Sequence, residues 1–558
     1  MLHLHKGQQS GEWRDALAVG IVGLVALAAL FVWLDDVHIS TTNGMYKSIR
    51  VESWVKSFAS GKLDYSNYMY YPLMAVLCRG LDLVGIYPGM AWKQLAAINV
   101  AFAAASLAIV FVLARTLTGR RDVALLATLL HLGSAFFLML AVTSEDILPG
   151  YTLVLLAMTL AALWFAEQTA QRVAIVGVVF TFGWLLEWRL LFPALPAFAL
   201  ALLLAPVPLR RRTTSIGVLL LSILVTAEIV CLFWDGHDGS GQIHQILWTG
   251  KGLDTGWGGF AVEKIALTPI GNAEYLLGGR NLAVTADIRA HCWEWIASLL
   301  LLAVLLVVAV ALVWRRRSDH RAVAASAVFL GTFAAGEVFN LYSQPQDPQM
   351  QVNIMAWVTL AWALVVAAIV PPPRRSAIAT YAAATLLSLA PLAYNLNALA
   401  PNRGSDSAQL AALSEIERNV DPARTVFLYF GFESIASWQY LVWTHRWAGV
   451  CDVGQAPSAQ PKFKWISVVR TLVDQPNYSA AEHAAALRRE IDCAFDKGYR
   501  VVASDVWQFS VDTLSGQLIT LRGTAHAAAL HAALHDAYEG RELFTTRRTN
   551  PFYELRRR

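Results

Sequence analysis

Between residues 17 and 396 the sequence alternates about eleven apolar stretches with short polar connections, and that pattern confines most of the chain to a bilayer. The stretches fall at about 17–34, 93–114, 122–142, 149–166, 172–186, 190–206, 214–233, 294–314, 321–338, 351–370 and 376–396. Most approach the roughly 20 residues that cross a hydrocarbon core, while the short 172–186 predicts a re-entrant or distorted segment. Only 15% of the 558 residues are charged and 56% are hydrophobic, a balance that excludes an ordinary soluble enzyme.

Arginines fix the expected orientation. They sit in the connections 115–121, 168–172, 210–212, 315–321 and 374–375, which all fall on one side of the predicted spans. The positive-inside rule makes that side, and the N-terminus, cytoplasmic in a bacterial inner (plasma) membrane. The formal charge of +4, from 44 Lys+Arg against 40 Asp+Glu, therefore reports orientation and not nucleic-acid binding. No small-residue cleavage pattern precedes Trp33-Leu34-Asp35-Asp36, so the first span reads as an uncleaved signal anchor. The opposite side receives 35–92, 144–149, 187–189, 234–293, 337–350 and everything after about Asn397. The aromatic-rich 35–92 suits one or two amphipathic interfacial helices, and 234–293 reads as a long external loop. Taking Tyr71–Cys78 as a span instead would put the five basic connections outside.

Residues 401–558 form the expected second domain. A Pro401-Asn402-Arg403-Gly404 linker leads to helical patterns near 406–418 and 480–496 and to strand patterns at 425–430 and 499–503, the signature of a small α/β periplasmic domain. No glycine-rich nucleotide loop follows either strand, so the domain reads as a lid or acceptor-binding module. Cys451 and Cys493 lie in this extracytoplasmic part, either as a disulfide or as two buried thiols.

Candidate chemistry gathers at the outer ends of the spans. Asp35 and Asp36 end the first span, where a carboxylate can take a proton from a hydroxyl or hold a divalent cation, Mg or Mn, or can simply mark a helix end in water. Glu145 and Asp146 form a second acidic pair in a loop too short to leave the rim, behind a Ser144 that could equally be a helix cap. If a metal is held, Asp36 and Asp146 are its candidate ligands. Glu187 and Arg189 interrupt an apolar run, either as an internal ion pair or with Arg189 as a bidentate phosphate clamp. Tyr342, Gln344 and Gln346 lie in the polar segment 340–353, suited to sugar hydroxyls or a diphosphate. His244 and Arg280 are further phosphate candidates in the long external loop, where the histidines lack zinc-ligand spacing.

With these residues in place, the chain resembles the GT-C superfamily of integral-membrane glycosyltransferases over about residues 15–400. Asp35 or Asp36 matches the family's aspartate after the first span, and Tyr70-Tyr71-Pro72-Leu73 resembles the segment that follows. Glu145 and Asp146 correspond to the acidic second external loop, and Gly183-Trp184-Leu185-Leu186-Glu187-Trp188-Arg189-Leu190-Leu191-Phe192-Pro193 resembles a further segment, with glutamate where lysine is often seen. Protein O-mannosyltransferases, aminoarabinose transferases and arabinosyltransferases share this kind of core.

The resemblance implies an all-α polytopic membrane domain of about eleven helices over 1–400. It also implies a polyprenyl-phosphate-linked sugar donor, a glycan, lipid or protein acceptor, Asp35, Asp36, Glu145 and Asp146 as catalytic residues, and Tyr70 among the substrate-binding ones. A ligase using a diphosphate-linked donor remains open. A transporter or flippase predicts an internal repeat and mid-membrane charges, and this sequence has neither in evident form.

Overall fold

The computed structural model describes residues 2–37, 43–56, 68–165, 167–235, 320–342, 356–370, 378–421, 423–430, 464–468, 477–518, 524–545 and 551–558, with Gln475 and short pieces between 271 and 314. The chain divides into two compact units, Met1–Arg403 and Gly404–Arg558.

The first unit is helical. In chain order it contains α1 (Leu2–Leu34), α2 (Asn43–Lys56), α3 (Tyr70–Leu83), α4 (Ala91–Thr118), α5 (Arg121–Gly133), α6 (Ala135–Val142), α7 (Ile147–Trp164), α8 (Ala170–Leu186), α9 (Leu191–Leu204) and α10 (Leu209–Asp235). It continues with α11 (His320–Tyr342), α12 (Trp357–Ile369) and α13 (Ile378–Leu399). Among the described residues, Arg14–Leu34, Ala91–Thr118, Ile147–Trp164, Leu209–Val230 and Ile378–Ser407 are long and apolar enough to cross a membrane, and α5 with α6 makes a sixth span if the pair counts as one. Ala170–Leu186, Pro193–Leu204 and Trp357–Ile369 are apolar but shorter. The expected stretch 294–314 lies mostly outside the described residues. Residues 35–92 hold α2 and α3, neither of which is among the span-length helices.

The distortion expected in 172–186 lies elsewhere. That stretch is one continuous helix, whereas 122–142 is bent by 68° between α5 and α6. Gly133 and Ser134 form the break. A Cβ on Gly133 would stand 2.7 Å from the Leu392 backbone nitrogen, so only glycine admits α13 this close. Ser134 is extended, and its hydroxyl donates to the Leu130 carbonyl at 2.9 Å. The Gly133 carbonyl, left without a helical partner, accepts from Asn395 Nδ2 at 2.7 Å. The same amide reaches the Leu276 carbonyl at 2.8 Å.

Leu276 belongs to the predicted external loop 234–293. Of 234–293, the described residues beyond α10 are 271–272 and 275–277, with Asn272, Tyr275 and Leu276 buried in the helical unit. Asn272 donates to Glu337 on α11 at 2.8 Å and accepts from the Trp357 indole on α12 at 3.1 Å. A loop that returns into an apolar unit has to satisfy its polar groups there, and these amides do so.

Arginine-bearing connections are drawn together by carboxylates and carbonyls. Asp15 of α1 accepts from Arg115 at 2.8 Å and pairs with Arg121 at 3.1 Å, which joins the middle of α1 to the α4–α5 connection. Arg120 meets Asp122 at 2.5 Å, the Tyr381 hydroxyl at 2.6 Å and the Val370 carbonyl, which brings the ends of α12 and α13 to the same place. Arg211 donates to the Glu167 carbonyl at 2.6 Å and holds the end of α7 to the start of α10.

In the second unit, α14 (Ser405–Asn419), β1 (Thr425–Tyr429), β2 (Lys464–Ser467), α15 (Ala480–Asp496), β3 (Arg500–Ala503), α16 (Val511–Leu518), α17 (Ala527–His535), β4 (Tyr538–Thr545) and β5 (Pro551–Arg557) build a sheet in the order β2-β1-β3-β5-β4. Strands β2, β1 and β3 are parallel, and β5 and β4 are antiparallel additions. All five residues of β1 are buried, as a central parallel strand requires. Ser479 and Glu482 form a capping box that starts α15. Cys493 is disulfide-bonded, and Cys451 lies outside the described residues.

Replacing Asn395 by Leu leaves two buried carbonyls without their donor, at about 1–3 kcal/mol each. The purified protein is expected to unfold at a clearly lower temperature, and an unchanged midpoint would contradict the role given to this amide.

Candidate active site

The acidic rim residues are brought together by backbone contacts. Helix α1 ends at Leu34, and Asp35 follows with φ +46°, a left-handed conformation that aspartate tolerates better than most residues. Two residues on, the Val37 carbonyl accepts from the Ser144 amide at 3.4 Å, which ties the first acidic loop to the second. Asn99, wholly buried on α4, donates to the Thr143 carbonyl at 2.8 Å and the Glu145 carbonyl at 2.6 Å. That side chain pins the Thr143–Asp146 turn from below. Ser144 does not cap α7: its hydroxyl has no hydrogen-bond partner among the described residues, and α7 begins only at Ile147.

A close helix crossing adds Glu187. A Cβ on Gly150 of α7 would lie 2.5 Å from the Glu187 Cβ and 2.9 Å from the Gly183 carbonyl of α8, while one on Gly183 would lie 2.9 Å from the Val154 nitrogen. Two glycines thus let α7 and α8 approach until Glu187 lies against the helix that Asp146 precedes. The Leu185 carbonyl also accepts from the Met69 amide at 3.0 Å, bringing the start of α3, and with it Tyr70, to the end of α8.

Three of these carboxylates meet a cation. Glu187, fully buried, receives Arg189 through two bonds, Nε to Oε1 at 2.7 Å and Nη2 to Oε2 at 2.8 Å. This is the internal pair weighed from the sequence, with the fork of the guanidinium filled. Asp146 accepts from Lys47 of α2 at 2.5 Å, and Asp35 accepts from Lys93 at the start of α4. The Lys93 ammonium lies 5.2, 5.8 and 6.0 Å from the ring centroids of Trp92, Tyr87 and Phe31, inside an aromatic surround. Asp36 is buried beside this pair in sequence, at 6% exposure.

Uncharged groups complete the setting. The hydroxyls of Tyr70, Thr143 and Ser144 and the Trp184 indole nitrogen are buried without a hydrogen-bond partner among the described residues. Burial raises the Tyr70 hydroxyl well above its ordinary range, and the negative charges of Asp146 and, more weakly, Glu145 push it further the same way. Tyr70 therefore stays protonated and able to donate. Tyr342 is half-buried in the last turn of α11, which reaches the rim through the Phe339 ring against Trp188 at 6.1 Å. Gln344, Gln346, His244 and Arg280 lie outside the described residues.

Two of the four rim carboxylates stand against ammonium groups, and among the described residues no three His, Cys, Asp or Glu side chains are arranged to hold a metal ion. Sequence reasoning missed Asn99, Lys93 and Lys47. The first two are polar residues within the apolar pattern of α4, a signal that was present; Lys47 needed the fold, because it is 99 residues from its partner.

No protein-family model matches the sequence. No curated protein matches it. Solved structures that align with the chain include the archaeal oligosaccharyltransferase AglB from Archaeoglobus fulgidus in complex with an inhibitory peptide and a dolichol-phosphate, 12% identical, with a TM-score of 0.49 over 94% of this chain and 72% of that one. ArnT from Cupriavidus metallidurans bound to undecaprenyl phosphate is also 12% identical, with a TM-score of 0.47 over 96% and 97%. Its apo state gives 13% and 0.48 over the same shares.

Lys93→Met leaves the Asp35 carboxylate without its cation and is expected to cost about 1–3 kcal/mol of stability. Lys93→Met combined with Asp35→Asn should recover most of that loss, because no unpaired charge remains. A double variant as unstable as the sum of the singles, measured by thermal unfolding, would rule out the pair as the cause.

Proposed function

We propose that this chain is a membrane glycosyltransferase of the GT-C type with about eleven spans, moving a sugar from a polyprenyl-phosphate-linked donor to a glycan, lipid or protein acceptor at the extracytoplasmic face. The observation that carries the proposal is the Val37–Ser144 backbone bond with the Asn99 clamp beneath it, which gathers two acidic loops distant in sequence beside Tyr70 and Glu187. A solvated pair of helix ends needs no such clamp. Buried hydroxyls and an indole nitrogen beside carboxylates suit a polyhydroxylated substrate, which can both donate and accept. The resemblance of 15–400 to the GT-C superfamily points the same way.

In the proposed reaction Asp36 is the base. Asp36 occupies the buried position next to the Val37–Ser144 bridge between the loops. The acceptor hydroxyl loses its proton to the Asp36 carboxylate as its oxygen bonds to the anomeric carbon. The bond from that carbon to the phosphate oxygen breaks, and its electron pair leaves with the polyprenyl phosphate. A single displacement of this kind inverts the anomeric centre. Positioning and one general base supply most of the acceleration, because a phosphate leaves without acid assistance at neutral pH. No step is routed through a divalent cation.

The test is transfer by the purified full chain from a polyprenyl-phosphate sugar. Asp36→Asn should lower the rate by about 10²–10⁴-fold. Asp35→Asn keeps a residue that accepts the left-handed backbone and should lower it by a clearly smaller factor. EDTA should leave the wild-type rate unchanged. A wild-type rate in a folded Asp36→Asn variant removes this mechanism.

A further inference from the structure

A neutral imidazole carries one N–H donor and one bare acceptor nitrogen, and burying it costs free energy unless both are answered. His483, at the end of the first turn of α15, is wholly buried, and neither of its ring nitrogens has a hydrogen-bond partner among the described residues. Its ring meets that of His526 edge to face, with centroids 4.8 Å apart and planes at 75°. The Nδ1 of His526 is likewise buried without a partner among the described residues. We propose that these two imidazoles form an acid-sensitive latch, which holds the start of α15 against the turn Thr524–His526 that leads into α17, and that a proton on His483 opens it. The inference concerns the second unit alone and does not rest on the glycosyltransferase reading.

Few charged or titratable groups surround His483. On its own helix the neighbouring Glu482 carboxylate is engaged by the capping box, where it accepts from the Ser479 amide and hydroxyl, each at 2.7 Å. Across from it stands the His526 ring, and the Tyr478 ring lies 5.5 Å away, centroid to centroid. The Tyr478 carbonyl is 3.4 Å from the Nε2 of His526. Burial lowers the His483 imidazole below its ordinary value of 6.5, and charge on His526 lowers it further. Glu482 and the Tyr478 carbonyl act the other way without cancelling these two effects.

Once the contact opens, the His483 ring returns to water and to its ordinary value. The open form therefore binds more protons below about pH 6.5, so the closed form is favoured above that pH and loses ground as the pH falls through it. Opening is local. At the far end of α17, Arg488 of α15 still donates to the Ala532 and Ala533 carbonyls, each at 3.3 Å. What acid uncovers is the near end, where Ala527 and Leu530 are buried in the closed form. Two rings packed only for their apolar area predict no such dependence on pH.

The test is hydrogen–deuterium exchange of the purified full-length chain at pH 7.5 and 5.5, with and without EDTA, corrected for the intrinsic pH dependence of amide exchange. Wild-type amides of 480–487 and 527–530 should exchange faster at pH 5.5 by up to about tenfold, the limit for one proton taken up near pH 6.5. Amides of β1 and β3 should keep their protection. His483→Leu should abolish the acid response in both segments, and His483→Phe provides a second removal of the titrating group if the leucine variant folds poorly. His526→Phe keeps His483 but removes the charge that faces it, so its response should be present and smaller. Equal exchange at the two pH values in wild type overturns the latch. So does an acid response that persists in the folded His483 variants, which assigns it elsewhere, as to the His531–His535 stack at the far end of α17. A response that disappears in EDTA also overturns it, because the imidazoles would then be holding a metal ion that acid releases.

Discussion

An ionised carboxylate removed from water carries a penalty of several kcal/mol unless a cation and hydrogen bonds answer it, and the first unit of this protein is organised around that constraint. Three such pairs stand at one rim: Asp35 with Lys93, Asp146 with Lys47, and Glu187 with Arg189. Two of them join segments 58 and 99 residues apart. These charges also fasten the first loop to α4 and the second loop to α2. A change at any of these carboxylates therefore acts on geometry as well as on reactivity, and paired substitutions are needed to tell the two apart.

Apolar packing sets where those charges can stand. Gly150 and Gly183 bring α7 and α8 into backbone contact, and the position of Glu187 follows from that closeness. Asn99 does the same for Glu145 by holding the carbonyls on either side of Ser144. Neither device touches a reacting atom in the proposed mechanism, yet each holds the backbone that carries a carboxylate. Preorganisation of this kind is what the proposed displacement would draw on.

Periodicity made the helical unit and the small α/β unit legible, because apolar runs near 20 residues and short alternating runs have few other uses. The strand at 425–429 and the helix at 480–496 lie where the pattern put them. The acidic pairs were legible for a different reason: a carboxylate at the end of an apolar run is expensive enough to be noticed. What the pattern could not supply was partnership. The Lys47–Asp146 pair depends on how α2 folds back, and the bend at Gly133 depends on the approach of Leu392 from far along the chain. The burial of Asn272 and Tyr275 was equally hidden, since a polar, glycine-rich segment reads as solvent-facing until its amides are seen bonded to α11, α12 and α13.

The break between α5 and α6 bears on how the protein is made. The Gly133 carbonyl finds its donor in Asn395, 262 residues later, and at about 5–20 residues per second the ribosome takes tens of seconds to supply it. Through that interval the eight apolar residues of α6 follow a helix that has lost its bond at the bend. Water, lipid headgroups or the insertion machinery must serve as stand-ins until the last span arrives. Completion of the bend thereby waits for α13, and a nascent chain stopped before α13 carries the acidic turn on an unfinished support.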